Sequence, residues 1–335
     1  MRGYTARRVL SMPYSRGEPR NIRLPSSIQG MPALCLREHY FVIMKAFSLP
    51  HDSMQWHQPK WLLRGLVTAL MTLFSGTTFD VHQRRWIFQA VPPTDLAASQ
   101  ESMGLVDQWI EFDSQETGLP VRLHSLWLAH PTTEAPVLLF LHGANCDVRE
   151  SAQRMKRLHE LGFAVLAIDY RGFGQSTSAL PSERMACEDA RVAWNWLAQR
   201  HPHARRYIYG HSLGGAIAVH LATEVDDAAG LIVDGTFTSI RAVLGTFKWG
   251  WLAIEPLITQ RFDSAQRVTR VKAPMLVVHG SEDRLIRPEL GRALFECATG
   301  PKRFVLVEGG SHHDTHELGH LQYREAVREL FGLIT

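Results

Sequence analysis

The sequence is short of cysteine, of surplus charge and of long apolar runs, and each shortage removes a class of protein. Its four cysteines, at positions 35, 146, 187 and 297 of 335, form no Cys-x-x-Cys pair. That spacing excludes a zinc ribbon and a dense disulfide framework and leaves buried free thiols as the expected state. Lys and Arg number 36 against 33 Asp and Glu, a net charge of +3, and even this surplus is local. Residues 1–60 hold nine basic and three acidic side chains, so the remainder of the chain is net negative. The folded part therefore carries no nucleic-acid footprint. Between Arg64 and Asp80 lies an uncharged apolar stretch, 65–79, shorter than the roughly 20 residues of a membrane-spanning helix. Internal repeats and low-complexity blocks are also absent.

What is present divides the chain in three. Residues 1–60 mix Arg, Pro, Ser and Gly without a sustained period, which predicts a poorly ordered basic extension; Met44 and Met54 offer later starts. Residues 61–79 read as a hydrophobic helix. They serve either as a short membrane anchor, with Arg64 snorkelling to the interface, or as a helix packed on the domain that follows. No small-x-small site follows the run, which argues against a cleaved signal peptide. The basic tail favours a cytoplasmic N-terminus and an exported domain, whereas Arg84 and Arg85 favour the reverse, so the side of the membrane stays open.

Residues 80–335 form the third part. Residues 108–113 and 121–128 alternate in polarity around a turn at Glu116-Thr117-Gly118 and predict an antiparallel hairpin. Six fully apolar runs then alternate with helix-length stretches, at 137–141, 164–168, 207–209, 231–233, 275–278 and 304–307. Apolar strands separated by helices predict a mostly parallel α/β sheet of eight strands, covered on both faces.

In such sheets ligands bind at the carboxyl ends of the strands. After the run at 207–209 comes Gly210-His-Ser-Leu-Gly214 and then a helical segment, a G-x-S-x-G nucleophile elbow in its strand–turn–helix context. A serine at the tip of so sharp a turn needs near-absent side chains on both flanks, which Gly210 and Gly214 supply. Ser212 is thus the candidate nucleophile. It requires a base and an orienting acid, in the chain order Ser, acid, His. His279-Gly-Ser-Glu-Asp283 follows one strand, with Asp283 as the candidate acid and Glu282 facing solvent. Asp234 also ends a strand and is the alternative acid. Glu308-Gly-Gly-Ser-His-His-Asp314 follows the last strand and offers His312 or His313 as base. The oxyanion needs two backbone N–H groups. Leu213 supplies one, and Ala144, in the loop His142-Gly-Ala-Asn-Cys146, the other.

Taken together, His142-Gly143, Asp169-Tyr-Arg-Gly-Phe-Gly-Gln-Ser176, Gly210-His-Ser-Leu-Gly214, His279-Gly-Ser-Glu-Asp283 and Gly310-Ser-His-His-Asp-Thr315 resemble the successive motifs of α/β-hydrolase serine hydrolases. The resemblance spans about residues 80–335. It is closest to the membrane-anchored branch with protein depalmitoylases and serine-aminopeptidase-like hydrolases, whose last motif is typically Gly-x-His-Asn-Asp with a catalytic histidine. It implies that His312 is the base, although His313 stands where Asn is expected. It also implies an N-terminal hydrophobic helix, which supports the anchor reading of 61–79. The expected fold is an eight-stranded α/β-hydrolase sheet with a minimal cap, since only about two helices, one around 249–254, fit between Gly235 and Ala273. The expected activity is hydrolysis of an acyl ester or thioester through an acyl-enzyme, with no cofactor; a peptidase or amidase is the alternative.

His316-Glu-Leu-Gly-His320 also matches the H-E-x-x-H zinc signature, with Glu317 as base. Against it, no third ligand follows, Gly319 weakens the helix, and Leu318, Leu321, Val327, Leu330 and Phe331 read as the buried face of the last helix. A non-catalytic scaffold would normally have lost one of Ser212, Asp283 or His312, and an aspartate-nucleophile hydrolase is disfavoured by serine at position 212.

Overall fold

The computed structural model describes residues 76–94, 103–246 and 257–333. The basic extension 1–60, the stretch 61–75 and the 249–254 region lie outside the described residues. Helices and strands in chain order are α1 (Gly76–Phe88), β1 (Leu105–Asp113), β2 (Pro120–Leu128), β3 (Val137–Leu141), α2 (Ala152–His159), β4 (Ala164–Ile168), α3 (Glu183–Arg200), β5 (Arg206–His211), α4 (Leu213–Glu224), β6 (Ala228–Asp234), α5 (Ile240–Gly245), α6 (Ser264–Val268), β7 (Met275–Gly280), α7 (Pro288–Cys297), β8 (Lys302–Val307), α8 (Thr315–Leu318) and α9 (His320–Phe331).

The strands form one sheet of order β1-β2-β4-β3-β5-β6-β7-β8. β2 runs antiparallel to β1 and β4, and every pair from β4 to β8 is parallel. β3 and β4 are buried at every residue, as strands covered on both faces must be. Alternate side chains feed two cores. Leu139 and Leu141 join α3, α4, α6 and α7 on one face, while Leu138 and Phe140 join α2 and α9 on the other. Each fully buried aliphatic side chain contributes about 1.5–3 kcal/mol relative to exposure, so both layers are anchored by the central strands.

One expectation changes in the structure. The last helix is broken at Gly319, where a Cβ would press on the Val307 side chain and the Thr315 carbonyl. The break turns Leu318 and Leu321 outward, 57% and 74% exposed, and leaves Tyr323, Ala326, Val327 and Phe331 as the buried face of α9. It also places His316 and His320 on two separate helices. Among the described residues no three His, Cys, Asp or Glu side chains converge as a metal-binding group. Residues 76–79 lie in α1, whose later residues are docked on the domain. Arg84 donates to the Pro181 carbonyl at 2.9 Å and to the Leu180 carbonyl, and Gln83 donates to the Leu257 carbonyl at 2.6 Å. Among the described residues no helix is long and apolar enough to cross a membrane.

The chain beyond α1 runs along the loop after β3. Asn145 N–H donates to the Phe88 carbonyl at 3.1 Å, Gly174 N–H to the Val91 carbonyl at 3.1 Å, and Thr94 gives both its N–H and its hydroxyl to Asp147. The same loop is held from below by Asp169, whose Oδ1 accepts from Val148 N–H at 2.9 Å. Asp169 Oδ2 in turn meets Nδ1 of the fully buried His124 at 3.0 Å, and His124 Nε2 meets Asp107 at 2.6 Å. Burial opposes a charge on His124, but hydrogen bonds and charges from the two aspartates outweigh it and raise the imidazole above its ordinary value.

A histidine raised on folding stabilises the fold fully below its unfolded value and loses that contribution as pH climbs through its folded value. Replacing His124 by Gln is therefore expected to cost most at pH 5–6, about 1–3 kcal/mol for lost hydrogen bonds to charged groups, and less at pH 9. Urea unfolding of both proteins at the two pH values measures the difference; a penalty that grew with pH would refute the assignment.

Candidate active site

The site is built on β5, the strand between β3 and β6. β5 ends at His211 and α4 begins at Leu213, so Ser212 alone makes the turn, with φ 54° and ψ −120°. Positive φ is costly for a side chain with a Cβ and persists only where the surroundings enforce it. Here they do. A Cβ on Gly210 would strike the Gly214 carbonyl and stand 2.7 Å from Ala218 Cβ, and one on Gly214 would strike the carbonyls of Leu141 and His142. Ser212 N–H donates to the Asp234 carbonyl at 2.9 Å, and its own carbonyl accepts from Thr236 Oγ1 at 2.8 Å.

Four strand ends converge on this turn. From β8, His312 brings Nε2 to 3.0 Å from Ser212 Oγ. From β7, Asp283 Oδ2 accepts from His312 Nδ1 at 2.7 Å. The Nδ1–H···carboxylate bond fixes the tautomer that leaves Nε2 free to accept the serine proton. From β3, the loop passes so close that a Cβ on Gly143, the residue before Ala144, would lie 3.1 Å from Ser212 Cβ. From β6, Asp234 lies under the elbow. Its carboxylate, however, is taken by Arg154, Tyr209 and Thr315. Asp283 and not Asp234 meets His312, and His312 rather than His313 meets Ser212. His313 packs its ring edge-on against His312, with centroids 5.1 Å apart. Glu282 is exposed.

The surroundings of Asp283 favour its charge. Burial works against ionisation, but His279, His312 and the backbone N–H groups of Leu285 and Ile286 outweigh it and hold the carboxyl far below the usual carboxylate range. His279, to which its motif alone gives no role, stands 3.3 Å from Asp283 Oδ2 and donates to the Ile286 carbonyl at 2.8 Å. His211, the variable residue of the elbow, donates from Nε2 to the His312 carbonyl at 2.9 Å. Burial, together with the charges of Arg154 and His312, keeps His211 well below its ordinary value and hence neutral. The loop after β3 has its own support in Tyr170, whose hydroxyl donates to the His142 carbonyl at 3.1 Å.

A cavity of about 370 Å³ opens between the β1–β2 turn, α3 and the far end of α4. Its walls are charged and mutually paired, as in Arg267 with Glu183, and none of the residues at the elbow lines it. It is not an acyl pocket for Ser212.

A strained serine on the strand–helix turn of an eight-stranded, mostly parallel sheet defines an α/β-hydrolase. The chain belongs to the α/β-hydrolase superfamily of serine hydrolases and is a hydrolytic enzyme. Residues 132–266 match the family described as serine aminopeptidase, S33. An uncharacterized protein of Mycobacterium tuberculosis is 35% identical over 216 residues, covering 64% of this chain and 76% of that protein. Lysophosphatidylserine lipase ABHD12 of Danio rerio is 33% identical over 186 residues, covering 50% of this chain and 48% of the lipase; the match thus spans about half of that relative's length. Among solved structures, an esterase of Pyrococcus furiosus aligns with a TM-score of 0.57 at 17% identity, covering 72% of this chain and 97% of the esterase. The ferulic-acid-bound Est1E of Butyrivibrio proteoclasticus aligns at 0.55 and 18% identity, covering 67% and 99%. At these identities the structural likeness speaks for the fold.

The elbow yields a prediction about its own packing. Gly210→Ala forces a Cβ into the first turn of α4, and overpacking of this kind costs about 1–3 kcal/mol. Urea unfolding should show that loss, together with slowed reaction of Ser212 with a fluorophosphonate; an unchanged unfolding midpoint would contradict the close packing.

Proposed function

We propose that the protein cleaves a carboxylic ester or thioester through a Ser212–His312–Asp283 triad and an acyl-enzyme. The observation that carries the reading is the unbroken pair of contacts at His312, 3.0 Å to Ser212 Oγ and 2.7 Å to Asp283. His312 takes the serine proton as Oγ attacks the carbonyl, and Asp283, held ionised, orients and stabilises the imidazolium. The N–H groups of Ala144 and Leu213 receive the developing oxyanion. His312 then protonates the leaving group, and a water activated by the same imidazole hydrolyses the acyl-enzyme.

Two considerations support an oxygen or sulfur ester over an amide. The named relatives include a lysophosphatidylserine lipase, and an alcohol or thiol leaves a tetrahedral intermediate more readily than an amine, which must first be protonated. The description of the matched family as serine aminopeptidase favours an amide as the second reading. Membrane association through residues 61–79 remains part of the proposal, on the strength of their apolar sequence.

Wild-type protein should be labelled by a fluorophosphonate and should hydrolyse p-nitrophenyl esters. Ser212→Ala should remain unlabelled and lose at least about 10⁴-fold in kcat. An active wild type that resists the label would refute the triad. Asp283→Asn should lower kcat by about 10⁴-fold and Asp234→Asn by far less; the reverse ranking would transfer the acid to Asp234. A matched series of esters, thioesters and anilides separates the substrate classes: ester or thioester turnover should be fastest, and faster anilide cleavage would favour the amidase reading.

A further inference from the structure

The sequence supplies no reason for an arginine on the buried side of α2, yet Arg154 is only 8% exposed and faces Asp234, which is fully buried. Its Nη1 donates to Asp234 Oδ2 at 2.5 Å and to the Tyr209 hydroxyl at 3.1 Å. Its Nη2 donates to the carbonyl of His313 at 3.0 Å. Asp234 Oδ2 also accepts from Thr315 Oγ1 at 2.7 Å, two residues beyond His313. The main-chain carbonyl of Asp234 holds Ser212 N–H. One ion pair thus touches the peptide that carries the nucleophile and, on the other side, the loop that carries the base.

Burying such a pair is expensive, and it contributes little net stability unless its geometry is ideal and its remaining hydrogen bonds are satisfied. A forked guanidinium can satisfy an acid with one arm and a carbonyl with the other, whereas an ammonium is a point donor. The arm on His313 is the part that an ion pair serving stability alone would not need.

We infer that Arg154 is a positioning residue for His312. It fixes the 312–315 loop against Asp234 so that Nε2 lies in reach of Ser212 Oγ. His211 holds the neighbouring carbonyl, that of His312, from the opposite strand end, so the base is clamped by its backbone on both sides. This inference rests on the triad reading above. It also gives Asp234, the alternative acid in the sequence, a different role. Asp234 anchors Arg154 and touches neither the proton in flight nor the substrate.

Arg154→Lys tests it, because lysine keeps a charge for Asp234 but cannot also reach the His313 carbonyl. The expected result is an unfolding midpoint close to wild type, an unchanged KM for p-nitrophenyl esters, and a fall in kcat of about 10- to 100-fold, the scale of a reacting group displaced by about 1 Å. Fluorophosphonate labelling should slow in parallel. The double variant Arg154→Met/Asp234→Asn, which leaves no unpaired buried charge, should lose at least as much kcat with KM again unchanged. Wild-type kcat in either folded variant, alongside an inactive Ser212→Ala, would overturn the positioning role and leave the triad intact. Wild-type turnover by Ser212→Ala would overturn both.

Discussion

The geometry of this protein hangs on the close approach of two backbones. The first turn of α4 presses against the end of β3, so that a single methyl on Gly214 would collide with the carbonyls of Leu141 and His142. That contact forces Ser212 into its positive-φ turn and, by the same closeness, brings the loop bearing Ala144 over the serine. The elbow serine and the loop after β3 are therefore one packing solution rather than two. Parallel pairing does the remaining work. Because β5, β6, β7 and β8 all run the same way, the segments after them emerge at one edge, and an acid and an imidazole from distant parts of the chain arrive together.

Two aspartates end adjacent strand systems at this edge, and their neighbours differentiate them. Asp283 is surrounded by imidazoles and amides, so its charge is available to a histidine. Asp234 is engaged by a guanidinium and two hydroxyls, so its hydrogen bonds are directed inside the protein. Identical side chains at similar depth are differentiated by what points at them.

How much of this could be read beforehand follows the range of the interactions involved. The strands, the hairpin turn at 116–118 and the elbow are signalled by neighbours in sequence, and the structure reproduces them. The choice between His312 and His313 is not local; only the family-like motif separates two adjacent histidines, and the geometry places His312 against Ser212. The buried face expected of Leu318 and Leu321 fails because a helical period does not carry through Gly319, where contact with Val307 ends one helix and starts another. His279, His211 and Arg154 are illegible for a different reason. Their partners are carbonyls and carboxylates from other strands, and an unpatterned His or Arg carries no trace of such partners in its own segment.

The strip of chain after α1 has a consequence for where this enzyme begins in a functional sense. Phe88 and Thr94 join the leading segment to the loop after β3, through a carbonyl for Asn145 and two donors for Asp147, and Val91 joins it to the loop after β4, through a carbonyl for Gly174. The sheet proper starts at Leu105, and every residue assigned to the chemistry lies beyond it. A fragment trimmed to the sheet would keep Ser212, Asp283 and His312 but lose these contacts with the loop that carries Ala144. Residues 88–94 are thus part of what holds the loop after β3 in place beside Ser212.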